Sequence, residues 1–116
     1  MTDRRRFEEL VADALDALPA WVLEVMENVE VVVEDRPPRD EPNLLGLYHG
    51  IPLTERGEWS YAGVLPDTIT LYRRTIEREA GGDEARLKDV VIHTVEHEVA
   101  HHFGISDDRL RELDAY

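Results

Sequence analysis

His97-Glu98-Val99-Ala100-His101-His102-Phe103-Gly104-Ile105-Ser106-Asp107 carries three histidines and two acids in eleven residues and breaks at a glycine. Its first five residues read H-E-x-x-H. Four residues are just over one helical turn, so His97 and His101 leave the same helix face and can grip one metal ion. Glu98 stands about 100° round the helix from His97, placed to reach a water on that ion and act as its general base. Gly104 follows His101 by three residues. A ligand beyond the helix needs a sharp chain reversal, often with positive φ, which glycine accepts cheaply. Asp107, three residues further on, then becomes the third ligand. Three protein ligands leave a fourth position open for water, the arrangement of a catalytic zinc site.

Working outward, the apolar stripe Leu87, Val91, Val95, Val99 and Phe103 predicts a helix over 84–103, capped by Asp83 and stopped by Gly104. Before it, Arg74 to Ala80 predicts a short helix ending at Gly81-Gly82. Thr68 to Arg73 alternates as a strand does, and the β-branched run Val29 to Glu34 predicts another. Leu44 to His49 and Trp59 to Leu65 have strand character, separated by proline- and glycine-bearing loops. Phe7, Leu10, Val11, Ala14, Leu15 and Leu18 predict an N-terminal helix over 3–18, with a second helical piece over 20–27 after Pro19. The expected class is α+β: a small mixed, twisted sheet packed against an N-terminal helix and a C-terminal helix that bears the site.

The composition narrows the chemistry. The chain has 116 residues, suited to one domain, with 13 basic against 26 acidic residues and a net charge of −13. Phosphate backbones and anionic membranes require a basic footprint, so neither nucleic acid nor a membrane surface is expected as partner. There is no cysteine, which excludes disulfides, thiolate metal sites and cysteine nucleophiles. Any metal is left to His, Asp or Glu. Arg4-Arg5-Arg6-Phe7 is followed by charged residues rather than an apolar signal core, and the expected location is cytoplasmic.

Two alternatives overlap the main motif. His93-Thr94-Val95-Glu96-His97 is the inverted arrangement H-x-x-E-H, with His93 and His97 as ligands and Glu96 as base. His93 and His101 cannot share one ion, because eight residues separate them by ~12 Å along a helix. Asp108 competes with Asp107 for the third ligand position. His102 falls beside the apolar stripe and reads as a core or helix-end histidine. Tyr48, Tyr61, Tyr72 and Tyr116 could each offer a hydroxyl to an oxyanion, although packing is the commoner role of tyrosine.

The run His97 to Asp107 resembles the end of the minimal zincin-like metallopeptidases of bacteria. Leu45-Gly46-Leu47-Tyr48-His49-Gly50-Ile51-Pro52-Leu53-Thr54-Glu55-Arg56 and Leu65-Pro66-Asp67-Thr68-Ile69-Thr70-Leu71-Tyr72-Arg73 are similar to further stretches of that family, and the likeness spans roughly residues 25 to 113. It implies a single-domain zincin-like fold over 1–116, with Zn2+ held by His97, His101 and Asp107 and with Glu98 as base. It also implies a peptide or protein substrate, hydrolysed by a metal-activated water. In related zincins the substrate adds a strand to a sheet edge, a role for which Trp59 to Leu65 is the candidate here. The chain departs from the larger metzincins in lacking their methionine turn, since Met1 and Met26 both precede the motif. That departure motivates a second expectation: a metal-binding regulatory or interaction module with little or no peptidase activity.

Overall fold

Strand β3 (Asp67–Tyr72) is the centre of the fold. In the computed structural model the described residues are 4–26, 29–50, 67–104 and 108. Strand β1 (Val29–Glu34) pairs with β3 in parallel, and β2 (Gly46–His49) pairs with it antiparallel on the other side. The mixed sheet therefore has the order β1-β3-β2. The expected Trp59 to Leu65 strand, with its proposed role as a docking edge, lies outside the described residues.

The register sets the inner face of the sheet. Val31, Ile69 and Tyr48 form one cross-strand row, and Val33, Leu71 and Gly46 form the next. Directly opposed residues share a face. Ile69 and Leu71 have no exposed surface, as expected of the central strand. Asp67 begins the same face of β3 and is 5% exposed, so a carboxylate sits at the end of an otherwise apolar surface.

Four helices complete the described fold: α1 (Arg4–Asp16), α2 (Ala20–Val25), α3 (Arg73–Ala80) and α4 (Glu84–His102). Their bounds lie within two residues of those the periodicity predicts. In α1, Phe7, Leu10, Val11 and Ala14 form the buried stripe, and this helix packs against α4. Helix α4 also packs on β2 and β3. Asp83 caps it as expected, its carboxylate accepting hydrogen bonds from the backbone N–H groups of Ala85 (2.9 Å) and Arg86 (3.3 Å). Gly104 follows with φ of 84°, the left-handed conformation that ends the helix. Among the described residues, no helix is long and apolar enough to cross a membrane.

Candidate metal centre

Helix α4 presents three stripes, each at four-residue spacing. Leu87, Val91, Val95 and Val99 enter the core. Thr94, Glu98 and His102 are also buried and form a polar stripe beside them. His93, His97 and His101 form the third stripe, with His93 exposed and the other two half-buried. Neighbouring stripes are offset by three residues, about 60° short of a full turn. The site thus lies where the buried polar stripe meets the histidine stripe.

The imidazoles of His97 and His101 have ring centroids 4.7 Å apart and stand nearly edge to face at 69°. The Glu98 carboxylate completes the group: a donor atom from each of the three residues lies within 4.8 Å of the others. The helical offset from His97 alone understates how close Glu98 comes. Its partner is His101, three residues on and therefore adjacent on the helix surface. His101 Nδ1 lies 3.1 Å from Glu98 Oε1. A carboxylate only accepts, so Nδ1 carries the proton and Nε2 is left with the lone pair a metal needs. Two imidazole nitrogens at helical spacing, with a carboxylate beside them to serve a bound water, suit zinc, and also iron or manganese. The residues present therefore fit a metal ion.

Glu98 is 4% exposed and held on several sides. Gly46 of β2 passes so close that a Cβ there would lie 3.2 Å from Glu98 Cγ, 3.0 Å from Thr94 Cγ2 and 3.1 Å from the carbonyl oxygen of Thr70. The missing side chain of Gly46 is what lets the strand approach the helix at this carboxylate. Thr94 is fixed in turn by its hydroxyl, which donates to the Val90 carbonyl at 2.7 Å.

His102 is a helix-end core histidine, as expected, and is 1% exposed. It also has a specific partner that periodicity does not reveal. Its Nδ1–H donates to Asp67 Oδ2 at 3.0 Å, and the Tyr48 hydroxyl donates to the same oxygen at 2.5 Å. Gly50 closes over this carboxylate, and an added Cβ there would run into it. Tyr48 is thus committed to Asp67 rather than to an oxyanion. These contacts pin the C-terminal end of α4, next to His101, to both β2 and β3. Tyr72, at the far end of β3, is 6% exposed, and burial pushes its hydroxyl pKa up, reinforced by the negative charges of Glu34, Glu41 and Glu98. It remains a protonated donor at neutral pH.

Asp107, Tyr61 and Tyr116 lie outside the described residues, so the third ligand position rests on spacing. Asp108 is exposed and is not part of the His97, Glu98 and His101 group. His93 stands apart, its ring centroid 6.4 Å from that of His97, with no acid joining the two in a ligand cluster among the described residues.

Comparison with solved structures gives a conserved hypothetical protein from Thermo thermophilus. It is 25% identical, with a TM-score of 0.62, and the match covers 88% of this chain and 94% of the other. No protein of curated function matches. The model of the zincin-like metallopeptidases matches residues 26–116, which include both partners of the clamp at His102 and every residue of the metal motif. The chain belongs to the zincin-like metallopeptidase family.

Proposed function

We propose that this protein is a zinc-dependent metallopeptidase that hydrolyses peptide bonds of a peptide or protein substrate. The observation that carries this reading is the meeting of His97, Glu98 and His101 donor atoms within 4.8 Å on one helix face, in a chain of this family. His97 and His101 would hold the ion, with Asp107, three residues past Gly104, as the proposed third ligand. When bound, the ion would supply Lewis acidity that acidifies water and polarises a carbonyl.

The remaining work falls to the chain itself. Glu98 Oε1 accepts a hydrogen bond from His101 Nδ1, which orients the carboxylate beside the histidine pair. The Glu98 carboxylate takes the proton as the water oxygen bonds to the carbonyl carbon, then returns it to the nitrogen as the C–N bond breaks. Burial of Glu98 limits competing solvent. Strand β2 is a sheet edge among the described residues and lies against α4 at Glu98. An extended peptide added to that edge would run past this carboxylate.

The test begins with metal content by plasma mass spectrometry on protein purified without chelators. About one zinc per chain is expected. Glu98→Gln should keep that zinc and lose cleavage of a peptide library by at least ~100-fold, the lower range for a general base. Equal cleavage by wild type and Glu98→Gln would refute the mechanism. Zinc binding with no cleavage by either would favour the regulatory or interaction module that the missing methionine turn suggests.

A further inference from the structure

The described arginines differ in their partners. Arg4, Arg5, Arg6, Arg73 and Arg86 each face a carboxylate: Glu8 and Asp35, Glu9, Glu84, Asp35 and Glu77, and Glu79 respectively. With twice as many acids as bases, such pairing is easily satisfied. Arg36, Arg39 and Arg74 nevertheless have no carboxylate within ion-pair distance among the described residues. All three line one cleft of about 400 Å³, together with Arg78. The other lining residues are Pro37, Pro38, Pro42 and Thr75, so no acid among the described residues lines this cleft. Its volume is in the range of small-ligand sites, ~300–1,000 Å³.

The cleft is also held open. Three prolines limit the backbone of the loop that carries Arg36 and Arg39. Arg78 ties that loop to α3, donating to Asn43 Oδ1 at 3.0 Å and to the Pro42 carbonyl at 3.3 Å. The Arg74 N–H donates to the Asp35 carbonyl at 3.0 Å, fixing the other end. Two neighbouring acids are engaged elsewhere, since Asp35 and Glu77 are both paired with Arg73. Arg73 and Arg74 further occupy the first turn of α3, which has no acid. Cations there oppose the helix dipole. Like charges gathered on a fixed wall are unfavourable until an anion joins them.

We infer that the cleft between the 36–42 loop and α3 binds a small ligand bearing a compact phosphate group. Guanidinium groups match phosphate oxygens in pairs, and a planar fork fits a tetrahedral oxyanion better than a point charge does. The net charge of −13 selects against long polyanions and anionic membranes, whose approach the overall field opposes. A small phosphorylated molecule escapes that penalty and meets only the local arginines. The site is separate from the metal centre, and the inference stands whether or not the chain is a peptidase.

Pyrophosphate is the probe, titrated calorimetrically into the full chain at constant ionic strength, with citrate and duplex DNA in parallel. Saturable binding of about one pyrophosphate per chain is expected, with Kd below ~1 mM. Arg36→Gln and Arg74→Gln should each weaken it about tenfold, the loss of one charge-assisted contact. Both side chains are exposed and without an ion pair among the described residues, so the unliganded protein should stay folded, with its melting temperature within a few degrees of wild type. Lys88→Gln, outside the cleft, should leave binding unchanged. Absence of saturable binding would overturn the inference. So would binding that survives the Arg36→Gln/Arg74→Gln double variant, which would place pyrophosphate on the metal centre instead. Citrate or DNA binding as tightly as pyrophosphate would overturn the assignment to a small phosphate ligand.

Discussion

Replacing Gly46 with alanine tests the link between sheet and site most directly. The new Cβ would stand 3.0 Å from Thr94 Cγ2, 3.1 Å from Thr70 O and 3.2 Å from Glu98 Cγ. Carbon contacts are comfortable at ~3.5–4.0 Å, so all three neighbours must yield by a few tenths of an ångström. Thr70 O is backbone of the central strand and cannot move alone. Thr94 is tied to the Val90 carbonyl. Overpacking of this kind costs about 1–3 kcal/mol, and reduced freedom of the unfolded chain returns about 0.4–1 kcal/mol. The net loss is then ~1–2 kcal/mol, or a fall in Tm of about 4–8 °C. The easiest relief is a rotation of Glu98, which breaks its hydrogen bond to His101 Nδ1. Loss of an orienting partner of a ligating histidine weakens metal binding ~10–100-fold. Thermal denaturation by circular dichroism and zinc competition against a chromophoric chelator measure the two effects separately. Wild-type stability together with wild-type zinc affinity would refute the claim that β2 sets the position of Glu98.

Tyr48→Phe keeps the ring and removes one donor from the buried Asp67 carboxylate, a charge-assisted bond whose loss costs ~2 kcal/mol. Urea denaturation should show that loss, and a change under ~0.5 kcal/mol would contradict the shared oxygen at Asp67. Asp35→Asn addresses pH. The hydrogen bond from Arg73 holds the Asp35 carboxyl below its ordinary range, reinforced by the charges of Arg73, Arg4 and Arg74. A depressed folded-state pKa means stability that is present above the unfolded value and lost as pH falls through the folded one. The variant should therefore be less stable than wild type at pH 7, and the gap should close below about pH 4. A gap that stays constant across that window would show that the carboxylate charge is not what Arg73 uses.

Much of the scaffold is legible in the sequence because its signals are local. Asp83 at the start of α4, the Val91, Val95 and Val99 stripe and Gly104 at its end each act within a turn or two of the chain. The β-branched run of β1 and the alternation of β3 are equally local. So is the four-residue spacing that brings His97 and His101 together. The clamp on His102 is not legible in this way. Asp67 and Tyr48 lie 35 and 54 residues from it in sequence and meet it only once the sheet has formed. No spacing rule singles out Asp67, which looks like any acid after a proline. The role of Gly46 is hidden for a similar reason: its value is the absence of a side chain towards a helix far along the chain. The closeness of Glu98 to His101 was within reach, because it follows from the three-residue spacing between them.

The strand order also governs how the chain can assemble. The outer strands β1 and β2 come first in sequence, and neither pairs with the other. Among the described residues both pair only with β3, which inserts between them. No hairpin can nucleate this sheet from β1 and β2, so the first described pairings already close long loops and carry their entropy cost. During synthesis on the ribosome, β1 emerges without its described partner until residue 72 has left the exit tunnel. The interval exposes Val29 to Glu34, a β-branched segment able to pair with other chains. Its two flanking acids, Glu30 and Glu34, both exposed in the folded strand, are then charges that discourage such encounters.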